Sequence, residues 1–263
     1  MDYLALISTV FYLFAAIISG QQFFSPKKTS SKIYFMPIFI ALFTHALWLY
    51  RHIYLLSLQD IPILNVVSLI TFVLSFLTTV ASKRLNTEIL QPVVYTFSLI
   101  NFIALMYLSS YYAVQLSADP YLGSHIILAV IAYSLLTIAS LFALQLAYID
   151  HRLKHHKQVI NQLKMPPLMT LEKILFQFVF LGFILLTCTL LTGFMFLNDM
   201  IEQGLVNRYS LTIIAWFIYA VLLWGRFVQG WRGRPIIYIT IIGSFTLTLA
   251  YFGSRIVRDI ILV

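Results

Sequence analysis

Eight stretches of the chain, roughly 3–24, 33–50, 61–81, 89–110, 121–148, 173–197, 210–229 and 235–257, are almost wholly apolar, and none has an Asp, Glu, Lys or Arg near its middle. A helix rises 1.5 Å per residue, so about 20 such residues cross the roughly 30 Å of bilayer hydrocarbon. Within hydrocarbon a segment must satisfy its own backbone N–H and C=O groups, which leaves helices as the structure for runs of this length. The pattern therefore predicts an all-α, polytopic membrane helix bundle: one domain over residues 1–263 with eight transmembrane helices and no soluble module. The whole chain agrees, at 61% hydrophobic and 10% charged residues with a mean hydropathy of +0.92. Pro62, Pro92, Pro120 and Pro235 fall at predicted helix starts, where a missing N–H costs nothing, and only Pro37 lies inside a span. The first stretch reads as a retained helix, because Asp2 is the only early charge and Gln21-Gln22-Phe23-Phe24 follows where a cleavage site would need small residues.

Basic residues orient the bundle. With the N-terminus outside, all eight lysines and Arg84, Arg152, Arg226, Arg232 and Arg234 face the cytoplasm, leaving Arg51, Arg208, Arg255 and Arg258 outside. Eight spans then put both termini on the outer, periplasmic side of a bacterial inner membrane. The net charge of +8 follows from this asymmetry and from attraction to anionic lipid, so the bilayer is the expected partner and nucleic acid is not. The basic cytoplasmic loop expected over 149–172, containing "HRLKHHKQVINQLKMPPLM", reads first as a retention signal and second as a docking site. Thr170 is expected to cap the sixth helix.

The chemistry available is narrow. Ion-coupled transporters keep carboxylates at mid-membrane, and here there are none; Asn101 and the Thr187, Thr189 and Thr192 cluster are the only material for a polar site there. There is no phosphate-cradling glycine loop, no CxxCH, no internal repeat, and Cys188 is the lone cysteine. No catalytic constellation appears, so no enzyme is expected and no catalytic residue is assigned. Histidine remains. His151, His155 and His156 belong to the basic loop, whereas His45 lies about 8 Å and His125 about 6 Å below the outer ends of their helices, a shared depth. Two neutral imidazoles between helices suit axial coordination of haem iron in an apolar pocket. Arg51 is then placed to pair with a propionate, His52 to ligate or bind at the rim, and Trp48 to stack on the porphyrin. Each residue has a second reading: interhelical hydrogen bonding for the histidines, an interfacial belt for Trp48 and Tyr50, a snorkelling anchor for Arg51. Asn65, Ser68 and Asn101 are positioned either to orient the imidazoles or to act as interhelical glue.

The stretches "SHIILAVIAYSLLTIASLFALQLAYIDHRLK", "LLTGFMF", "WFIYAVLLWGRFVQGWRGRP" and "LAYFGSRIV" resemble the cytochrome c assembly membrane proteins, the CcsA/HemX-like haem-handling family. With "THALWLYR" and "LNVVSLI" they resemble its short YpjD-type inner-membrane branch. The resemblance implies binding of haem b by membrane histidines, with His125 matching the histidine of the Ser-His motif and His45 the upstream histidine of the short branch. It also implies partners among cytochrome c assembly components or haem enzymes. The chain departs from the full synthases in three places. "NDMIEQGLVNRYS" replaces the external tryptophan-rich WxWD segment, Trp224 stands where a histidine precedes the arginine matching Arg226, and no histidine follows "YFGSRIV". Thioether-forming activity is therefore not implied. The competing expectation is a haem-free interaction protein that stabilises a partner enzyme through the basic loop.

Overall fold

A computed structural model describes residues 2–24, 31–55, 60–85, 90–107, 113–115, 120–155, 168–194 and 206–253. Eight α-helices run through them: α1 (Tyr3–Phe24), α2 (Ser31–Leu49), α3 (Ile63–Leu85), α4 (Leu90–Tyr107), α5 (Pro120–His155), α6 (Leu168–Phe194), α7 (Val206–Phe227) and α8 (Arg234–Thr248). π-Helical turns extend α2 through Tyr50–Leu55 and α8 through Leu249–Gly253. Among the described residues one short antiparallel clip, β1 (Asp60–Pro62) on β2 (Ala113–Gln115), accompanies the helices. Among the described residues seven helices, α1 and α3 to α8, are long and apolar enough to cross a membrane.

Helix ends follow proline chemistry. Pro120 opens α5, Pro235 is in the first turn of α8, and Pro62 immediately precedes α3. The loop expected over 149–172 is shorter at both ends, because α5 continues through His155 and α6 begins at Leu168. Hydropathy ends a span where charges begin, but a helix emerging into water continues on i,i+4 pairs, here Asp150 and Lys154 at 2.6 Å. Thr170 consequently lies inside the first turn of α6 rather than at its cap. Residues 156–167, with His156, lie outside the described residues.

The helices gather into two compact units, one built on α1 to α4 and the other on α5 from His125 through α8. In the first, α1 packs on α2 and α4, and α3 packs on α4 and α2. The buried face of α1 is Ala5, Ser8, Tyr12, Ala15 and Ser19, spaced 3-4-3-4, while Leu6, Val10, Leu13, Phe14 and Ile17 point outward. Small residues on that seam let backbones approach closely, and the bulky apolar ones are left for lipid. On α3 the buried seam is polar: Asn65, Ser68, Thr71, Ser75, Thr78, Thr79 and Ser82. It meets hydroxyls and an amide of α4, with Ser75 Oγ 2.8 Å from Ser98 Oγ and Thr79 Oγ1 2.8 Å from the Tyr95 hydroxyl. Gln91 ties the far end, donating from Nε2 to Ser82 Oγ at 2.8 Å and to Tyr95 at 3.0 Å while its Oε1 accepts from the Tyr34 hydroxyl.

The second unit has an apolar core. Leu136, Ala139, Phe142 and Ala143 of α5 are fully buried, and Phe142 stacks on Phe178 of α6 at 5.6 Å. Gly182 is where α6 takes in α5, since a Cβ there would sit 2.8 Å from Leu136. The "WGRFVQGWRGRP" stretch is the turn from α7 to α8. Gly230 and Gly233 adopt φ of 68° and 69°, the left-handed region that only glycine enters freely. Trp231 folds back onto Gly225, where a Cβ would lie 2.2 Å from the indole. Arg226 donates to the Trp231 carbonyl at 3.1 Å with its guanidinium 4.7 Å over the Phe176 ring, and the Gly233 N–H donates to Glu172 Oε1 at 2.9 Å.

Candidate functional site

His45 sits on α2, facing inward because the 3.6-residue period that buries Ala41 and Trp48 carries it to the same side. It is 0% exposed. Nδ1 is 2.8 Å from the Tyr12 hydroxyl of α1 and Nε2 is 2.9 Å from Ser68 Oγ of α3. Rings of Tyr12, Phe72 and Phe102 meet the imidazole edge-on at 5.6, 5.2 and 4.6 Å. Ser68 therefore bonds the ring across the α2–α3 interface. As placed, both ring nitrogens are engaged by protein hydroxyls, and ligation of iron at His45 requires one of those bonds to open.

Trp48, Arg51 and His52 are brought together, around Asp2. Trp48 is buried, so it is a core residue and not part of an interfacial belt. Its indole stacks on His52 at 4.1 Å and 16° and meets Phe102 edge-on at 5.6 Å. His52 donates from Nδ1 to the Trp48 carbonyl at 3.0 Å, and its Nε2 faces Asp2 Oδ2 at 3.2 Å. The exposed Arg51 reaches Asp2 Oδ1 at 3.8 Å. This cluster fastens the start of α1 to the end of α2.

His125 lies in the other unit and is held differently. It is half-buried near the start of α5, with Nδ1 2.8 Å from Thr192 Oγ1 on α6. Gly193 lies at the Cε1 edge of the ring, since a Cβ there would be 3.2 Å from His125 Cε1, 4.0 Å from Nε2 and 3.5 Å from Tyr209 of α7. The Tyr209 hydroxyl donates to the Leu190 carbonyl at 3.3 Å, which fixes that wall of the notch. Among the described residues no group of three or more His, Cys, Asp or Glu side chains is gathered for a bare metal ion. A porphyrin brings four nitrogens of its own and needs only one or two protein ligands, so a single imidazole anchored through its other nitrogen fits that group.

The profile of the Cytochrome C assembly protein family matches residues 31–262, a range containing both His45 and His125. The chain belongs to this family. A cytochrome c assembly protein of this size has a close counterpart in the inner membrane protein YpjD of Escherichia coli strain K12, 41% identical over 203 residues and 77% of each chain. Shorter matches reach the cytochrome c biogenesis protein CcsA of a Picosynechococcus species, 28% identical over 89 residues, 33% of this chain and 26% of that one. The CcsA of Prochlorococcus marinus strain SARG is 31% identical over 85 residues, 32% and 27% of the two chains. No solved structure matches. The family and its short branch, read from sequence, are thereby established, as is a multi-pass membrane protein.

Four partners at the assembly protein's histidines escaped the sequence reading. Tyr12 is one turn-periodic aromatic among many on α1, Asp2 precedes any helix, and Thr192 was grouped by composition with Thr187 and Thr189. Gly193 carried a signal, a glycine inside "LLTGFMF" with no turn to make, which marks a close approach.

Proposed function

We propose that this family member is a bacterial inner-membrane protein that binds haem b and assists cytochrome c assembly or haem trafficking, with His125 as an axial ligand and without forming thioether bonds itself. Membership in the family and the cytochrome c biogenesis named for its CcsA relatives supply the context. The observation that carries the assignment is the hydrogen bond from the His125 ring to Thr192, which anchors one nitrogen of a half-buried imidazole as ligating histidines are anchored. His45 is not assigned as a ligand, because both of its ring nitrogens hold hydroxyls of its own unit. Eight spans with both termini outside, as the distribution of lysine and arginine favours, put His125 near the periplasmic face, where apocytochrome c is met. A noncovalent haem agrees with the lack of a CxxCH, and the reading without ligation chemistry rests on the missing tryptophan-rich motif in the stretch 198–210, of which 198–205 lie outside the described residues.

The test is a haemin titration of detergent-purified wild type, His45→Ala and His125→Ala, followed by oxidised and reduced visible spectra. Wild type is expected to develop the Soret and visible bands of histidine-ligated haem, and His125→Ala to lose them. Equal loss in a folded His45→Ala overturns the assignment to His125 alone. A wild type that stays colourless at saturating haemin sinks the haem reading and moves the search to protein partners of the basic loop.

A further inference from the structure

Thr192 has one hydroxyl hydrogen and three neighbours. Its Oγ1 lies 3.0 Å from the Cys188 carbonyl and 3.1 Å from the Thr189 carbonyl, which accept and cannot donate, and 2.8 Å from His125 Nδ1. With that hydrogen directed to a carbonyl of its own helix, the oxygen presents a lone pair to the histidine. The imidazole must then donate from Nδ1, which leaves the lone pair of the neutral ring on Nε2. That is the tautomer able to ligate iron. Gly193 supplies the second condition. A methyl group at this position would stand 3.2 Å from Cε1, tighter than ordinary van der Waals contact, and 3.5 Å from the Tyr209 ring.

From this geometry we infer that Thr192 and Gly193 are the positioning residues of the haem ligand: Thr192 fixes His125 as the Nδ1–H tautomer and Gly193 provides the notch that admits the Cε1 edge of the ring. The inference rests on the proposed haem site, but its first consequence concerns the protein without haem. Thr192 acts through the imidazole, so neither residue needs to touch the porphyrin. Thr192→Val deletes only the hydroxyl, whose other bonds are back-bonds within α6. Gly193→Ala raises the intrinsic helix propensity of α6, so a loss in that variant reports the notch and not a weakened helix.

Two measurements decide it. In haem-free protein labelled with nitrogen-15 histidine, two-bond proton–nitrogen correlations should show His125 protonated at Nδ1 in wild type and in Thr192→Ser, and a mixture of tautomers in Thr192→Val. In haemin titrations Thr192→Val should bind about 10- to 100-fold more weakly, the usual cost of removing a hydrogen bond behind a metal ligand. Its reduction midpoint should rise, because the ring loses the acceptor that enriches it in electron density. Thr192→Ser should restore both properties, and Gly193→Ala should lose affinity with the tautomer intact. An Nε2–H tautomer in wild type, or wild type and Thr192→Val titrating alike, overturns the inference. A wild type that binds no haemin fails the haem reading, while the tautomer measurement still decides the role of Thr192.

Discussion

His45 shows how far a single buried polar residue depends on its neighbours. Its two bonds, to Tyr12 and Ser68, cross three helices, and three aromatic rings exclude other partners. Tyr12→Phe keeps the ring and removes one hydroxyl, leaving Nδ1 without a partner in an apolar box. Interhelical hydrogen bonds in membranes are worth on average about 0.6 kcal/mol and at most about 1.7, so Tyr12→Phe should destabilise the protein by about 1 kcal/mol. The reading is a lower thermal unfolding midpoint in detergent. An unchanged midpoint would mean that the Tyr12 bond contributes nothing to the fold. His125 makes the contrast, since its ring is half-buried and its identified anchor is a single threonine.

At the scale of elements, α3 and α4 are joined by hydroxyls and one amide where soluble helices would use leucines. In lipid there is no hydrophobic gain from hiding apolar faces, so small and polar residues move inside and large apolar ones move out. Gln91 is the junction of that seam. Gln91→Leu conserves approximate volume but removes a hydrogen-bond partner from each of Tyr34, Ser82 and Tyr95. The expected loss is about 2 kcal/mol, larger than for Tyr12→Phe, because several buried groups lose bonds at once. Measured as the same midpoint shift, a Gln91→Leu smaller than Tyr12→Phe would show that Thr79 and the backbone absorb the orphaned groups. The seam is legible in sequence as Ser and Thr recurring every three to four residues on α3. Which of them meets which residue of α4 is not, because that requires the rotation of each helix about its axis.

For the whole molecule, the distribution of Lys and Arg predicts the orientation. Reporter fusions at residues 58, 112 and 200 should be active only with a periplasmic reporter, and fusions at residues 28, 87, 160 and 230 only with a cytoplasmic one. The reverse pattern at the last pair would remove the turn carrying Trp231 from the cytoplasm and with it the proposed outer position of His125. Two four-helix units, each with its own packing chemistry, make up the described chain: a polar-seamed one around His45 and an apolar one below His125.

Sequence alone determined the class, the number and approximate placement of the helices, and the family, because bilayer thickness and the need to satisfy every backbone polar group act on segments one at a time. Ser68 was legible as a partner of His45 because equal depth follows from counting residues along a known rise. Depth says nothing about azimuth, and the partners that distinguish the two histidines lie across helix interfaces. Tyr12 comes from 33 residues before His45 and Thr192 from 67 residues after His125. Only tertiary packing, by turning α1 toward α2 and α6 toward α5, decided that one imidazole bonds hydroxyls of two other helices and the other bonds a threonine of α6 with its Cε1 edge against a glycine.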